Sequence, residues 1–136
     1  MKSDVVELGD KAREMLREPV VATFATVEPD GSLHLTPTWI DVEDGTVIVN
    51  SLQSRRKTLN ARRNPHVGVC VIDPTNPFRV VSIEGEVTDF VEDGAEAHID
   101  ALTQRYLGLD KHPFAHDGEV RVMIRIRPTK ILVQPR

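Results

Sequence analysis

Apolar positions along the chain follow two periods, and the switches between them mark out strands and helices. Over 5–17, Val5, Leu8, Ala12, Met15 and Leu16 recur near helical spacing, with Ser3 or Asp4 placed to cap the helix and Pro19 to stop it. The stretch 20–27 is rich in β-branched residues and runs into Glu28-Pro29-Asp30-Gly31, a strong turn signal. A second strand is expected over 32–42, where Leu33, Leu35 and Trp39 alternate with polar neighbours. Glu43-Asp44-Gly45 turns the chain into a third strand over 46–50. Strands joined in this way form an antiparallel meander.

Helical spacing returns over 54–64, opened by Ser54 and closed before Pro65. Two strands follow, over 67–72 and about 78–90, separated by Asp73-Pro74-Thr75-Asn76-Pro77. A further amphipathic helix over 92–107 carries Ala95, Ile99, Leu102 and Tyr106 on one side. The stretch 108–118, holding His112-Pro113-Phe114, has no period. Val120, Val122, Ile124 and Ile126 then alternate with charged residues, Met123 being the exception, and Ile131-Leu132-Val133 ends the pattern. Six or seven strands with two or three helices predict a mainly β domain spanning 1–136, an antiparallel barrel closed or nearly closed with helices packed outside. Closure removes the edge strands that so β-rich a chain must otherwise protect.

Composition narrows the function. With 136 residues, 40% hydrophobic and 28% charged, the chain is one ordinary globular domain. Its net charge of −4 argues against nucleic acid as a partner, because neutralising phosphates needs a net basic face. The single cysteine, Cys70, excludes an internal disulfide framework and reads as a packed thiol in the strand over 67–72. The five histidines share no metal-ligand spacing beyond the weak pair His112 and His116, so no metal is expected. Lys2, Asp4 and Glu7 interrupt the first residues, so they do not form a signal peptide, and no apolar run is long enough to span a bilayer. A cytoplasmic protein is expected.

The chemistry concentrates at 50–60. With Ser54 as N-cap, Arg55, Arg56 and Lys57 fill the first helical turn. That turn already carries partial positive charge from unpaired N–H groups, and a cation there costs about 0.3–1 kcal/mol. A helix built for stability places Glu at the position of Lys57. Three bases make sense there if an anion binds, since the N–H groups, the dipole and the side chains then face one phosphate. No acid occurs between Gly45 and Ile72, which makes the segment a basic island in an acidic chain. A solvated basic helix end is the plainer reading, and it fits Arg62 and Arg63 best, where the dipole favours cations. A nucleic-acid patch would need interleaved aromatics, which are absent.

The segment 54–65, with Arg56-Lys57 ahead of Asn64-Pro65 and a strand after it, resembles the pyridoxamine-phosphate-oxidase-like family of FMN-binding split barrels. Ala22-Thr23-Phe24-Ala25-Thr26-Val27 with Thr36-Pro37-Thr38-Trp39 is similar to that family's first hairpin, and Ser82-Ile83-Glu84-Gly85-Glu86-Val87 to its long central strand. Arg105-Tyr106-Leu107-Gly108, His112-Pro113-Phe114 and Gly118-Glu119-Val120-Arg121-Val122 resemble the actinobacterial deazaflavin-dependent branch. The likeness covers nearly the whole chain and rests on the order of these motifs, none of them diagnostic alone.

The resemblance implies that Ser54, Arg55, Arg56 and Lys57 hold the phosphate of coenzyme F420 or of FMN, with Asn60 facing it one turn later. It implies that Asn50 and Ser51 line the ring and that Thr36, Pro37 and Trp39 wall its pocket, Trp39 reading equally well as core. It further implies a homodimer with the cofactor at the interface, completed by the partner's long strand near Arg79. The activity expected is hydride transfer from reduced deazaflavin to a small unsaturated or quinone-like substrate. An FMN-dependent oxidoreductase and a non-catalytic carrier of flavin, deazaflavin or haem are the alternatives. Vitamin B6 chemistry is not expected, because the chain lacks the extended phosphate-binding strand motif and C-terminal substrate region of true pyridoxamine-phosphate oxidases.

Overall fold

In the computed structural model, which describes residues 6–113 and 118–135, every strand lies in one antiparallel sheet. The strands are β1 (Ala22–Val27), β2 (Leu33–Thr38), β3 (Asp41–Glu43), β4 (Thr46–Leu52), β5 (His66–Asp73), β6 (Asn76–Val91) and β7 (Arg121–Gln134), in the order β2-β1-β5-β6-β7-β4-β3. The helices are α1 (Asp10–Leu16), α2 (Arg56–Arg63) and α3 (Ala95–Leu107). β2 and β3 stand at opposite ends of that order, yet only Trp39 and Ile40 separate them in sequence. Chain of that length reaches roughly 11 Å at most. The sheet must therefore curl until its edges approach, which makes it a barrel.

The core fills the inside of the curl. Phe24, Ile40, Val47, Val49, Val71, Val81, Val122, Ile124 and Ile126 are all buried, and α1 closes the barrel with Ala12, Met15 and Leu16. β6 and β7 form the longest pair, from Val80↔Gln134 to Val91↔Met123, with irregularities at Glu84/Gly85 and Val87/Asp89. At Gly85 the pair leaves no room for a side chain. A Cβ there would lie 2.6 Å from Ile126 Cγ2 and 2.8 Å from the Arg127 carbonyl. Gly85→Ala is expected to destabilise the fold by about 1–3 kcal/mol through overpacking, measured as a lower urea midpoint; an unchanged midpoint would mean the bulge relaxes freely.

The structure corrects the sequence pattern in several places. α1 begins at Asp10 rather than near Val5, because Gly9 is extended and the preceding segment turns to β7, with the Val6 N–H donating to the Pro128 carbonyl. The suggested caps Ser3 and Asp4 lie outside the described residues. The strand expected over 32–42 breaks at Trp39–Ile40, where the chain crosses between the sheet's two edges. Leu33 and Leu35 do alternate, but outward, at 67% and 62% exposure. Alternation fixes the period of a strand and leaves its inward side open. Ile131–Val133 is the continuation of β7. Cys70 is half-buried on the outer side of β5 and is not core.

Candidate functional site

Where β2, the end of β4, the start of α2, α3 and the start of β7 converge, the surface sinks into a concave site of about 380 Å³. That is within the size range of small-molecule sites. Thr36, Pro37, Trp39, Asn50, Ser51, Arg55 and Lys57 line it, all anticipated from the sequence. Ile99 and Leu102 of α3 supply its apolar floor, and His112 and Arg121 join from later in the chain.

Local chemistry explains why each side chain is there. β4 ends on buried Asn50 and Ser51, and the chain turns through the Arg55 N–H donating to the Leu52 carbonyl. The N-cap of α2 is Arg55, extended at φ −67° and ψ 146°, with no side chain capping the helix. Ser54, the expected cap, instead donates its hydroxyl to Glu119 Oε1 at 2.7 Å. A contact made across the fold has outcompeted a local one. Thr58 bridges back to β4, its hydroxyl donating to the Leu52 carbonyl at 2.7 Å and lying 2.9 Å from Ser51 Oγ. The Thr58 N–H donates to the Arg55 carbonyl at 3.0 Å, which leaves the N–H groups of Arg56 and Lys57 as those without an intrahelical acceptor, and no side chain caps them.

Three cations, Arg55, Lys57 and Arg121, converge on this helix end. Among the described residues, no carboxylate forms an ion pair with any of them. Burial, then Arg55 and Arg121, push the Lys57 ammonium below its ordinary pKa. Burial likewise lowers Arg121, opposed by Glu96 and, more weakly, by Asp100 and Glu119, with Arg55 adding to the lowering. Like charges thus crowd one helix end, and an anion held there would offset their repulsion.

Aromatic groups form the opposite wall. Trp39 is half-buried and stacks on Tyr106 with ring centroids 4.7 Å apart and planes 12° from parallel, while His112 meets its edge at 5.9 Å. One face of Trp39 thus packs on Tyr106 while the residue also lines the concave site. Tyr106 anchors this corner: its hydroxyl donates to the Val20 carbonyl at 2.6 Å and accepts the Ile40 N–H at 3.0 Å.

Other sequence candidates lie elsewhere. Arg56 points away toward Glu28, 3.6 Å distant. Asn60 is buried at 2% exposure, bound to Thr26 and Arg63, and faces the barrel rather than the site. Arg79 is held between Glu18 at 2.7 Å and Asp73 at 2.9 Å, its charge already matched within its own chain. Arg62 donates to Gln53 and stacks on Phe90 at 4.1 Å, and Arg63 donates to the Val27 carbonyl, so both hold α2 to the barrel. The basic island does acquire acids in space, Glu28 and Glu119, from distant segments. Arg121 was not foreseen because the charged positions of its strand look alike in sequence. His112 lay in a stretch without period, and its neighbours Phe114 and His116 are outside the described residues. Among the described residues no cluster of His, Cys, Asp or Glu could hold a metal, and no helix is long and apolar enough to cross a membrane.

Comparison with known proteins gives these features a family. Comparison with curated protein sequences returns no match. Among solved structures, an F420 reductase is 30% identical, with a TM-score of 0.79 over 92% of this chain and 98% of its own. A conserved hypothetical protein from Mycobacterium tuberculosis is 26% identical, with a TM-score of 0.69 over 96% of this chain and 86% of its own. A heme storage protein from Vibrio cholerae reaches a TM-score of 0.64 at 18% identity, over 94% of this chain and 95% of its own, a likeness of fold alone. These neighbours share the split-barrel fold, and the family model described as pyridoxamine 5'-phosphate oxidase matches residues 8–134. The chain belongs to the pyridoxamine 5'-phosphate oxidase family of split β-barrels.

Proposed function

We propose that the protein is a homodimeric oxidoreductase that uses the deazaflavin coenzyme F420. The observation that carries this reading is the convergence of Arg55, Lys57 and Arg121 on an uncapped helix end without an acid paired to any of them among the described residues. That donor set fits a phosphate. It also exceeds what one phosphate requires, as suits a cofactor whose tail carries further carboxylates; FMN ends at its phosphate. The 30% identity to an F420 reductase over nearly the full length of both chains supports the same choice.

In this reading Arg55, Lys57 and the free N–H groups of α2 hold the phosphate. Asn50, Ser51 and Trp39 border the ring, and Ile99 and Leu102 keep water from its apolar side. Reduced deazaflavin bound there supplies a hydride, and the protein contributes position, charge and exclusion of solvent. Arg56, Asn60, Arg79, Arg62 and Arg63 take no part from within the same chain.

The test is fluorescence titration with F420 and with FMN at low and raised salt. F420 is expected to bind more tightly, with a preference that shrinks as salt rises because the tail contacts are exposed. Tight FMN binding with no measurable affinity for F420 would promote the FMN-dependent alternative, and binding without turnover of any quinone or unsaturated acceptor would favour a carrier.

A further inference from the structure

Behind the anion site runs a chain of polar side chains whose far members, His98 and Asp41, have no task in the cofactor reading. It begins at Arg121, whose Nη1 donates to Asn50 Oδ1 at 3.2 Å. Asn50 is only 6% exposed, so its carboxamide has little water to turn to. Asn50 Nδ2 donates to the Ala95 carbonyl at 2.9 Å and lies 3.0 Å from His98 Nδ1. His98 Nε2 lies 2.9 Å from Asp41 Oδ2. Asp41 Oδ1 accepts from Arg105 at 3.1 Å and from the Val42 N–H at 2.9 Å.

Donor and acceptor chemistry leaves one arrangement. A guanidinium only donates and a carbonyl only accepts. The amide must therefore turn Oδ1 to Arg121 and Nδ2 to Ala95. The second hydrogen on Nδ2 then faces His98 Nδ1, which must accept it. The imidazole proton consequently sits on Nε2 and is donated to Asp41. Turning the amide over would set its NH₂ against the guanidinium and its oxygen against the Ala95 carbonyl, both inside a buried site. Burial pushes the Asp41 carboxyl up, but bonds from His98, the Val42 N–H and Arg105 outweigh it and hold its pKa below the ordinary carboxylate value. A fixed anion on β3 thus anchors the far end.

Arg121 needs such an anchor. Burial and the like charge of Arg55 disfavour its guanidinium there, Glu96, Asp100 and Glu119 favour it from a distance, and the bond to Asn50 Oδ1 gives it a direction.

We propose that Asp41 and His98 are positioning residues for the anion site: Asp41 holds the imidazole proton on Nε2, His98 thereby fixes the Asn50 carboxamide, and that carboxamide aims Arg121 at the space shared with Arg55 and Lys57. The order Asp41–His98–Asn50–Arg121 exists without ligand; only its purpose rests on the anion reading given above.

Two measurements separate the parts. In ligand-free, ¹⁵N-labelled protein, imidazole spectra should show His98 as the Nε2–H tautomer, and relaxation of the Arg121 Nε–H should show an ordered side chain. Asp41→Asn, which keeps the shape and removes the charge, should loosen Arg121. An Nδ1–H tautomer, or an Arg121 indifferent to Asp41→Asn, overturns the proposal. The second measurement is calorimetric binding of inorganic pyrophosphate. Asp41→Asn and His98→Ala should each weaken it by about tenfold, the size of one charge-assisted hydrogen bond. In an Arg121→Gln background neither should weaken it further, since residues acting through one another are not additive. Equal losses in that background would mean a general effect on the fold and would also overturn the proposal. Wild-type protein that binds neither pyrophosphate nor F420 while the ligand-free spectra hold would refute the anion reading alone, the positioning chain having been decided by the spectra.

Discussion

Lys57→Glu is expected to make the ligand-free protein more stable and to remove cofactor binding together. Lys57 occupies the second position of α2, where the helix dipole favours an anion. The substitution exchanges an unfavourable dipole contact for a favourable one and ends the repulsion from Arg55 and Arg121. A gain of about 1 kcal/mol follows from the dipole, or a rise of about 2–4 °C in Tm for a domain near this size. Binding should move the other way. Losing one charge-assisted hydrogen bond costs about 1.5–3 kcal/mol, and the new carboxylate repels the phosphate as well, so affinity should fall by roughly 100-fold or more.

Lys57→Met isolates the charge and carries a pH signature. The folded pKa of Lys57 lies below its unfolded value of about 10.4. The penalty of the lysine is therefore complete below the folded pKa and disappears as pH rises from there through the unfolded one. The stabilisation from Lys57→Met should be present at neutral pH and vanish in alkali. Thermal melts across that range, paired with cofactor titration, check both claims. Reduced stability with unchanged cofactor affinity would instead make Lys57 a structural residue.

The contrast between Ser54 and Lys57 shows what was legible in the sequence. That bases stand at a helix start is a local fact, and the helix start is where they were expected. The identity of the cap was a contest between Ser54 bonding its own helix and Ser54 bonding Glu119, decided by chain sixty-odd residues away. Asn60 failed for a related reason. Helical spacing puts it one turn beyond Arg56, but the Thr26 hydroxyl of β1 lies on its other side and takes it inward. The two acids that hold Arg79 were not legible either, because Glu18 is distant in sequence and Asp73 lies across a turn. Strands and helices were readable because their periods are local, whereas the partner of each charge depends on which elements the barrel brings together. The clearest example is Arg121: Arg125 and Arg127 of β7 share its alternation, and only the pairing Leu52↔Arg121 with β4 carries this one to the site.

In the proposed homodimer, Leu35→Lys is expected to separate the two copies and to weaken cofactor retention without unfolding the barrel. β2 has two sides with different tasks. Thr36 faces the cofactor site, while Leu33 and Leu35 stand on the outer face, exposed in the single chain. The outer face continues across the sheet through paired rows. Leu35 leads to Ala25 and Gly68, and Pro37 leads through Thr23, Cys70 and Ser82 to Leu132, which is 50% exposed. Ile72 and Val21 lie beside the second row at 52% and 58% exposure. Small side chains in the middle with larger apolar ones around them make a flat surface suited to a copy of itself about a two-fold axis. Burying a leucine contributes about 1.5–3 kcal/mol, and two-fold symmetry uses each position twice. A lysine at both copies loses that burial and leaves two like charges in an apolar contact. Weakening of association by at least about a hundredfold follows from those terms. Because Leu35 is already exposed in the single chain, the melting of the monomer should hardly change. Because β2 also borders the cofactor site, losing the neighbouring copy should open that side to water and speed cofactor release. Sedimentation velocity over a concentration series, with stopped-flow release of F420, reads both effects. A wild-type protein that is a strict monomer while binding F420 tightly would defeat the dimer, and a Leu35→Lys protein that remains dimeric would place the interface on another face.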